Sequence, residues 1–352
     1  MTNSFPDVPS LTAGLDMSDR QTSFCVVDGQ GEVIEEGKVR TSPEGFARRF
    51  SAFEPCRVVL EVGTHSRWAS SLLANLGHEV IVANPWKVRL IANSIRKTDR
   101  SDAETLARLG RLDPKLLSPV IHRTAEAHAD LAIIHARQSL ISARRLLINH
   151  IRGAVKAWGA TIPKCDAHAF HKKAPGALPV QLLPALEPLI KAIAELTNQI
   201  RAADAKIEEL CRQRYPETKV LQQVQGVGPL ISLTYILTLD NPFRFKASRM
   251  VGPYLGLVPR QRESGEKAPQ LKISKAGDKY LRVLLVNGAH YILGYRGPDT
   301  DLRRWGLSHA VGGKAAKKRA VVGVARKLAV LLHRLWVTGE VYIPLGSEEV
   351  AA

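Results

Sequence analysis

The hydrophobic pattern of the first forty residues predicts a small antiparallel sheet. Apolar or alternating runs at residues 11–17, 22–27 and 32–39 indicate three strands. Asp28-Gly29 and Gly31 mark a tight turn between the second strand and the third. The three runs therefore predict a meander.

The next fifty residues predict helices and strands in alternation. Ser42-Pro43-Glu44 is typical of a helix start, and we expect that helix to reach about Phe53. The elements predicted after it are a buried strand at 57–62, a helix at 67–76 and a strand at 79–83. Three antiparallel strands followed by β-α-β units is the order of an RNase H-like sheet.

Four acidic residues stand at special places in this pattern. Asp16 lies in the first strand and Glu61 in the fourth, and these strands are neighbours in the RNase H-like order. Burying a carboxylate in an apolar strand is unfavourable unless a cation compensates it. Asp99 and Asp102 open a helix, and their i, i+3 spacing puts them on one face. Taken singly, Asp99 also fits a helix cap and Asp102 a first-turn carboxylate; together the four predict a divalent metal site.

Two long apolar-periodic stretches follow, at residues 131–158 and 186–214. The segment between them, 163–184, is rich in Pro, Ala and His. The pattern predicts an antiparallel coiled-coil arm that dimerises the protein or bridges its ends. A plain helical hairpin packed on the core is the alternative. His168 and His171 have ligand-like spacing, and we interpret them as exposed or phosphate-contacting.

The last third of the chain contains features typical of phosphate contact. The Gly226-Val227-Gly228 turn before an apolar helix resembles a helix-hairpin-helix, in which backbone N–H groups receive a DNA phosphate; an ordinary turn is the alternative. Residues 314–334 predict a basic amphipathic helix, for which nucleic acid is a better partner than a membrane. The positions predicted to bind nucleic acid are Gly226, Gly228, Arg260, Arg262, Lys267, Lys275, Arg282, Lys314, Lys317, Lys318 and Arg319.

Ser264 lies in a Gly-containing loop crowded by Arg260, Arg262 and Lys267. A serine becomes a nucleophile only with a nearby base or metal, and cations must stabilise the charge on the phosphate that it attacks. From spacing alone, an ordinary turn serine is the favoured interpretation.

Composition narrows the class of partner. The 352 residues contain 50 Lys+Arg against 33 Asp+Glu, a net charge of +17, which favours an acidic polymer over the alternative of mere solubility. Four widely spaced cysteines indicate neither a zinc site nor a disulfide framework. No apolar run is long enough for a membrane span, and residues 1–9 lack the pattern of a secretory signal, so we expect a cytoplasmic protein without membrane contact.

Six separated motifs are similar to those of the DEDD transposases of the IS110 insertion-sequence family, relatives of the Piv-type DNA invertases. The resemblance covers nearly the whole chain, in order. The motifs are Gly14-Leu15-Asp16, Leu60-Glu61-Val62-Gly63, Lys97-Thr98-Asp99-Arg100-Ser101-Asp102-Ala103, Gly226-Val227-Gly228, Pro259-Arg260-Gln261-Arg262-Glu263-Ser264-Gly265 and Ser274-Lys275-Ala276-Gly277.

The resemblance implies a fold of α/β plus mainly α class in three domains. These are a RuvC-like, RNase H-fold metal-binding domain at 8–125, a helical coiled-coil arm with a Pro-rich loop at 126–215, and a helical transposase domain at 216–345 that carries the nucleophilic serine and the helix-hairpin-helix-like element. It also implies a prokaryotic, nucleoid-associated protein that works as a dimer or tetramer with shared active sites.

The resemblance further implies a mechanism. Asp16, Glu61, Asp99 and Asp102 bind Mg²⁺ or Mn²⁺, while Ser264 joins covalently to a 5′ phosphate and frees a 3′ hydroxyl. Strands then exchange through a Holliday-junction-like intermediate. A non-coding bridge RNA pairs with donor and target DNA, and this pairing explains a basic surface that does not itself read sequence.

Two other functions fit the residues. The first is a RuvC-like, metal-dependent Holliday-junction nuclease that hydrolyses DNA without a covalent serine intermediate. The second is a non-catalytic nucleic-acid-binding protein whose acids are caps and structural charges. A covalent protein–DNA adduct separates the first from strand exchange, and an inert Asp16→Asn substitution would favour the second.

Overall fold

The computed structural model describes residues 10–86, 88, 98–262, 269 and 271–345. The chain divides into two compact units, Met1–His122 and Arg123–Ala352, and each is described by itself. Predicted residues Ser264 and Lys267 lie outside the described residues.

The first unit is a mixed sheet with helices. Within the described residues its strands run in the order β3-β2-β1-β4-β5, with β1 antiparallel to β2 and parallel to β4. The predicted meander and the predicted contact between the first and fourth strands are confirmed. The elements are β1 (Leu11–Met17), β2 (Gln21–Asp28), β3 (Val33–Arg40), α1 (Pro43–Phe50), β4 (Arg57–Glu61), α2 (Ser66–Asn75), β5 (Glu79–Ala83) and α3 (Asp99–Leu112).

Side chains that alternate along the central strands fill two cores on opposite faces of the sheet. Leu15 and Leu60 pack with Phe46 of α1 on one face. Val59 packs with Leu106 of α3 on the other. Burial of both faces accounts for the continuous apolar run of β4.

The first helix begins as predicted and ends earlier. The Ser42 hydroxyl accepts a hydrogen bond from the Gly45 N–H at 3.1 Å, and Pro43 occupies the first helical position. The helix stops at Phe50 rather than Phe53. Ser51 caps it and donates its hydroxyl back to the Ala47 carbonyl at 2.6 Å.

The second unit begins with two long helices, α4 (Ala125–Lys156) and, after the short α5 (Phe170–Lys173), α6 (Leu183–Gln213). The two helices pack antiparallel, with separate buried clusters near their two ends. The helix α4 starts six residues before the predicted start at 131, because Thr124 caps it by accepting from the Ala127 N–H at 3.2 Å.

Polar pairs join the middle of these helices, between the two buried clusters. Arg137 pairs with Asp204, and the Arg144 guanidinium donates to the Thr197 hydroxyl at 3.2 Å. Burial lowers the pKa of Arg144, with a further contribution from the neighbouring charge of Arg137. The predicted antiparallel helix pair is therefore confirmed, with a middle section that is polar.

The two histidines of the connecting loop differ in their surroundings. His168 is exposed, as expected. His171 is partly buried, and its pKa is lowered by that burial and by the neighbouring Lys172 charge.

The rest of the second unit is a helical bundle. Its core includes Tyr235, Leu285 and Leu328, and the Tyr235 hydroxyl donates to the Ala329 carbonyl at 2.6 Å. None of the helices in the described ranges is long and apolar enough to cross a membrane. The bundle helices are α7 (Thr218–Gln222), α8 (Pro229–Leu239), α9 (Val251–Tyr254), α10 (Lys279–Leu293), α11 (Asp301–Ser308) and α12 (Lys314–Thr338). The hydrophobic pattern did not predict α7, α9 or α11.

Candidate active site and nucleic-acid interface

Asp16 and Glu61 occupy equivalent positions on two neighbouring strands. The strands β1 and β4 pair in parallel as far as Leu15 opposite Leu60, and the two acids are the next residue on each strand. Neighbouring strands lie about 4.8 Å apart, and residues in register face the same side. Both carboxylates therefore leave the same face of the sheet at its carboxyl edge, where both side chains are partly exposed.

The helix α3 covers that face at very close range. An ideal Cβ on Gly14 would lie 2.0 Å from the Ala103 carbonyl oxygen and 2.4 Å from the Ala107 nitrogen. Further along the helix, the Gly110 carbonyl accepts from Nη1 of Arg57, the first residue of β4, at 3.0 Å. The helix thus runs opposite to β1, and its first turn points toward the carboxyl edge of the sheet.

The first turn of α3 contains the other two acids. The Thr98 hydroxyl accepts from the Ser101 N–H at 3.1 Å and the Ser101 hydroxyl accepts from the Thr98 N–H at 3.0 Å, which is a capping box. Asp99 and Asp102 are therefore the first and fourth helical residues. The interpretation of Asp99 as the cap is wrong, because Thr98 has that role. Both acids benefit from the positive end of the helix dipole.

The backbone brings Asp16, Glu61, Asp99 and Asp102 to one edge of the first unit. Within the ranges that the structure describes, no group of three or more His, Cys, Asp or Glu side chains is arranged to hold a metal. Asp16, Glu61 and Asp102 each have an interaction partner. Carboxylates repel one another, while a hard divalent cation prefers oxygen ligands. The donor set fits such a cation, and the side chains would have to turn toward each other to hold it.

Sequence reasoning missed a histidine at the same edge. His65 follows β4 by four residues, and its Nδ1 accepts from the Trp68 indole N–H at 3.2 Å. Its Nε2 lies 3.1 Å from Oδ1 of Asp19, in the turn after β1. Because Nδ1 accepts from the indole, Nε2 is the nitrogen that can donate to Asp19. The proximity of His65 to Glu61 in sequence was the available signal.

The loop of Ser264 begins and ends in a short antiparallel pair of segments in the second unit. Pro259 is bridged to Ile273, and the Arg260 N–H donates to the Lys272 carbonyl at 3.0 Å. We call the paired segments, residues 258–260 and 272–274, the ribbon. Arg260, in the ribbon, and Arg262, two residues later, are exposed.

The turn that leaves the ribbon has an unusual backbone. Lys275 is exposed and has φ +58°, a left-handed conformation that few residues other than glycine adopt. Gly256 and Gly277 also have positive φ, and a Cβ on either would lie within 2.4 Å of backbone atoms. The Arg282 guanidinium donates to the carbonyls of Leu255, Ala276 and Gly277. Arg282 therefore braces this turn, while Lys275 presents its ammonium to solvent.

The two glycines of the Gly226-Val227-Gly228 turn have different surroundings. Gly226 has φ +91°, and a Cβ there would lie 2.9 Å from Cδ1 of Tyr291 and 3.3 Å from the Gly288 carbonyl on α10. Gly228 is exposed at the start of α8, and a Cβ there would meet nothing within 4 Å. Of the two, only Gly228 leaves a helix start open to an approaching phosphate.

The start of α12 collects exposed cations. Lys314, Lys317, Lys318 and Arg319 lie in its first two turns and are exposed. Its N-cap, Gly313, has φ +96° and contributes no side-chain hydrogen bond. Cations at the positive end of a helix dipole are unfavourable, and a bound anion would relieve this repulsion.

Comparison with known proteins defines the class. A family described as a transposase (DEDD_Tnp_IS110) matches residues 13–158, which include the four acids. The family described as "Transposase IS116/IS110/IS902 family" matches residues 218–301, which include Ser264. The protein is thus a transposase, an enzyme that cuts and rejoins DNA.

Individual relatives of the chain are also described as transposases. The transposase for insertion sequence element IS1111A of Coxiella burnetii is 28% identical, over 94% of this chain and 90% of its own length. The probable family 20 transposase of Pseudomonas aeruginosa is 28% identical, over 83% and 87%. The putative transposase y4pF/y4sB of Sinorhizobium fredii is 31% identical, over 83% and 76%. The chain belongs to the IS110 family of insertion-sequence transposases.

Proposed function

We propose that this transposase exchanges DNA strands through a covalent serine intermediate, with the four acids holding divalent metal and a structured bridge RNA selecting the sites. The observation that carries the metal part is the register of β1 and β4, which puts Asp16 beside Glu61 at the sheet edge that the first turn of α3 approaches. The same arrangement supports an RNase H-like, RuvC-type domain in the first unit.

Asp16, Glu61, Asp99 and Asp102 would hold Mg²⁺ or Mn²⁺ through carboxylate oxygens. When bound, the metal supplies charge neutralisation on the phosphate and on the oxygens that attack and leave it. DEDD transposases generally depend on a divalent metal. His65, hydrogen-bonded to Asp19 at the same edge, is placed to relay a proton there.

Ser264 supplies the nucleophile in this proposal. Its Oγ loses a proton and bonds to the phosphorus, the bond from phosphorus to O3′ breaks, and the departing 3′ oxygen takes up a proton. The strand with the 5′ phosphate is then held on the serine until a new 3′ hydroxyl reverses the step. The cations of Arg260 and Arg262 beside the loop support charge stabilisation on the phosphate.

Guidance by RNA and assembly into a dimer or tetramer are parts of the same proposal. A net charge of +17 supports the binding of more than one nucleic acid. In a purified system, we expect strand exchange to require RNA transcribed from the DNA that flanks the gene. Exchange that survives complete removal of RNA would contradict this part alone.

The serine is tested by trapping the intermediate. We expect Ser264→Ala to abolish the denaturation-resistant protein–DNA adduct and strand exchange while DNA binding stays unchanged, because only the attacking oxygen is removed. The measurement is a denaturing gel with labelled DNA. Ser139→Ala, an exposed serine on α4, is the control and keeps the adduct. An equal adduct yield from Ser264→Ala would remove this serine from the mechanism.

The metal site is tested separately. We expect Asp16→Asn to lower metal-dependent cleavage at least a hundredfold and to weaken Mg²⁺ binding, because a neutral amide is a poorer ligand for a hard cation. Cleavage rates across a Mn²⁺ titration measure this effect. Glu54→Gln, which removes an exposed carboxylate from the same unit, should leave the rate unchanged. Matching rates for the two variants would refute the metal assignment.

A further inference from the structure

An open cavity of about 1060 Å³ lies in the second unit. Its walls come from α12, from residues 248–258 and from the chain segment after α12, residues 339–345. Apolar side chains of Val258, Leu302, Val330 and Leu331 contribute to its lining. The cavity is slightly larger than the range of about 300–1000 Å³ for small-ligand pockets, and it is open to solvent. Its size and openness suit part of a polymer.

Four cations line the cavity against two carboxylates, those of Asp301 and Glu340. Arg249, Arg326 and Lys327 line it, are exposed and have no carboxylate partner in the described part of the chain. Lys327 Nζ lies 4.7 Å from the ring centroid of Trp305, a cation–π contact that restricts the position of this ammonium. Arg334 also lines the cavity, and its Nε is 2.7 Å from Oε1 of Glu340. We call the cavity with these four cations the basic groove.

We propose that the basic groove binds an unpaired strand of DNA. Cations along a groove attract phosphates, and apolar surface beside them receives base faces that a duplex keeps stacked inside. DNA is the occupant because the protein is a transposase. Arg326, Lys327 and Arg334 belong to the helix over residues 314–334 that the sequence predicted to contact nucleic acid, whereas Arg249 and the groove that brings it together with them were not predicted.

The groove adjoins the ribbon that flanks Ser264. Val258 lines the groove and belongs to the ribbon, and its carbonyl accepts from the Ser274 N–H at 2.9 Å. Arg326 packs on Gly252, where an ideal Cβ would lie 3.2 Å from its Cγ. A strand in the groove therefore leads to the base of the serine loop. The inference that a strand in the groove leads toward Ser264 rests on the proposed function. The inference that the groove binds single-stranded DNA does not.

The segment after α12 competes with such a strand. The Glu340 carboxylate forms an ion pair with the Arg334 guanidinium, which a DNA phosphate would otherwise bind. Hydrogen bonds hold the segment in place: the Tyr342 N–H donates to Oε1 of Gln223 at 2.9 Å, and the Asp301 N–H donates to the Pro344 carbonyl at 2.9 Å. Removal of the Glu340 charge should therefore strengthen DNA binding.

The first test neutralises two groove cations and keeps their long side chains. Binding of the full chain to a single-stranded DNA oligonucleotide is measured by anisotropy without divalent metal, across a salt series. We expect Arg249→Gln/Arg326→Gln to weaken binding and to reduce the slope of log K against log salt by about 0.7 for each phosphate that the protein no longer neutralises. The control, Arg48→Gln/Arg145→Gln, removes two exposed arginines outside the groove and should keep the slope.

The second test removes the competing acid. We expect Glu340→Gln to tighten single-strand binding severalfold at low salt. Glu187→Gln, which removes the acid of a surface ion pair with Lys191 on α6, changes net charge equally and should have a smaller effect. Equal effects of the two substitutions would overturn the role of Glu340.

Other outcomes contradict the groove assignment itself. Equal reductions of the slope in the two double variants, a loss of duplex binding as large as the loss of single-strand binding in the groove variant, or a stronger effect of the groove variant on RNA than on DNA would each overturn it. The assay contains no metal and forms no adduct. Ser264→Ala should bind normally in it, so failure of the groove and failure of the serine mechanism are distinguishable.

Discussion

At the scale of single residues, Lys275 combines strain with charge. A left-handed backbone is unfavourable by about 1–2 kcal/mol for residues with a Cβ, and such strain is often found at functional sites. The surrounding turn sustains it, since Lys275 N–H donates to the Gly256 carbonyl at 3.1 Å and Arg282 holds the carbonyls that follow. Lys275 is also one of the positions predicted from sequence to bind nucleic acid.

Two substitutions separate the strain from the charge. We expect Lys275→Gly to raise the free energy of unfolding by about 1 kcal/mol relative to Lys275→Ala, because only glycine relieves the left-handed conformation. Both variants should weaken DNA binding equally, because both lose the ammonium. Denaturant unfolding and anisotropy measure the two effects. Equal stability of the variants would mean that φ at this position carries no strain.

The sequence predicted the position of a residue correctly where the strand or helix that contains it determines that position. The places of Asp16 and Glu61 followed from strand pattern and strand order. The bracing role of Arg282 and the packing of Gly226 on α10 did not follow, because both depend on residues that are distant in sequence. Hydrophobic periodicity predicts which face of a helix or strand is buried, but it does not predict which residues pack against that face.

At the scale of elements, Gly14 fixes how closely α3 approaches the sheet. A side chain there would overlap the helix backbone. The helix in turn is held at its other end, where Arg111 and Arg108 donate to the carbonyls of Gly29 and Gly31 in the turn between β2 and β3. These hydrogen bonds place the first turn of α3 relative to the strands, and so place Asp99 and Asp102.

We expect Gly14→Ala to lower the free energy of unfolding by about 1–3 kcal/mol, because the added methyl must push α3 away from β1. Metal-dependent cleavage should fall more steeply than stability, since two of the four acids move with the helix. Gly63→Ala is the matched control, because a Cβ there meets nothing within 4 Å. A Gly14→Ala variant as stable and active as the control would contradict the close approach.

Most elements of both units were predicted from sequence, with helix ends shifted by local capping. The β5 strand was predicted to the residue at 79–83. The helix α11 was missed because its eight residues contain few apolar positions, so its amphipathic signal is short. Its Thr300 cap, which accepts from the Arg303 N–H at 3.1 Å, was a usable signal.

At the scale of the whole molecule, the excess of positive charge governs encounter with nucleic acid. A charge of +17 steers a polyanion to the protein before any specific interaction forms. From this excess of positive charge the sequence correctly predicted a negatively charged partner. It did not predict the basic groove, because the groove joins α12 to segments some eighty residues away.

We expect duplex binding by the full chain to weaken steeply with salt. If about 6–10 phosphates are neutralised, affinity falls by roughly 10³–10⁵ between 50 and 200 mM salt. Electrophoretic mobility shift or anisotropy over this range measures the fall. A nearly flat dependence would mean that the cationic surface is not the binding surface.

The tethering of residues 339–345 bears on how the protein is prepared. Because Gln223 and Asp301 fasten this segment next to Arg334, a domain fused directly after residue 345 would start close to the basic groove. An acidic affinity tag or a fluorescent protein joined there would shield the arginines and mask weak DNA binding. We therefore expect fusions directly after residue 345 to lower the measured affinity for single-stranded DNA more than fusions at the amino terminus do.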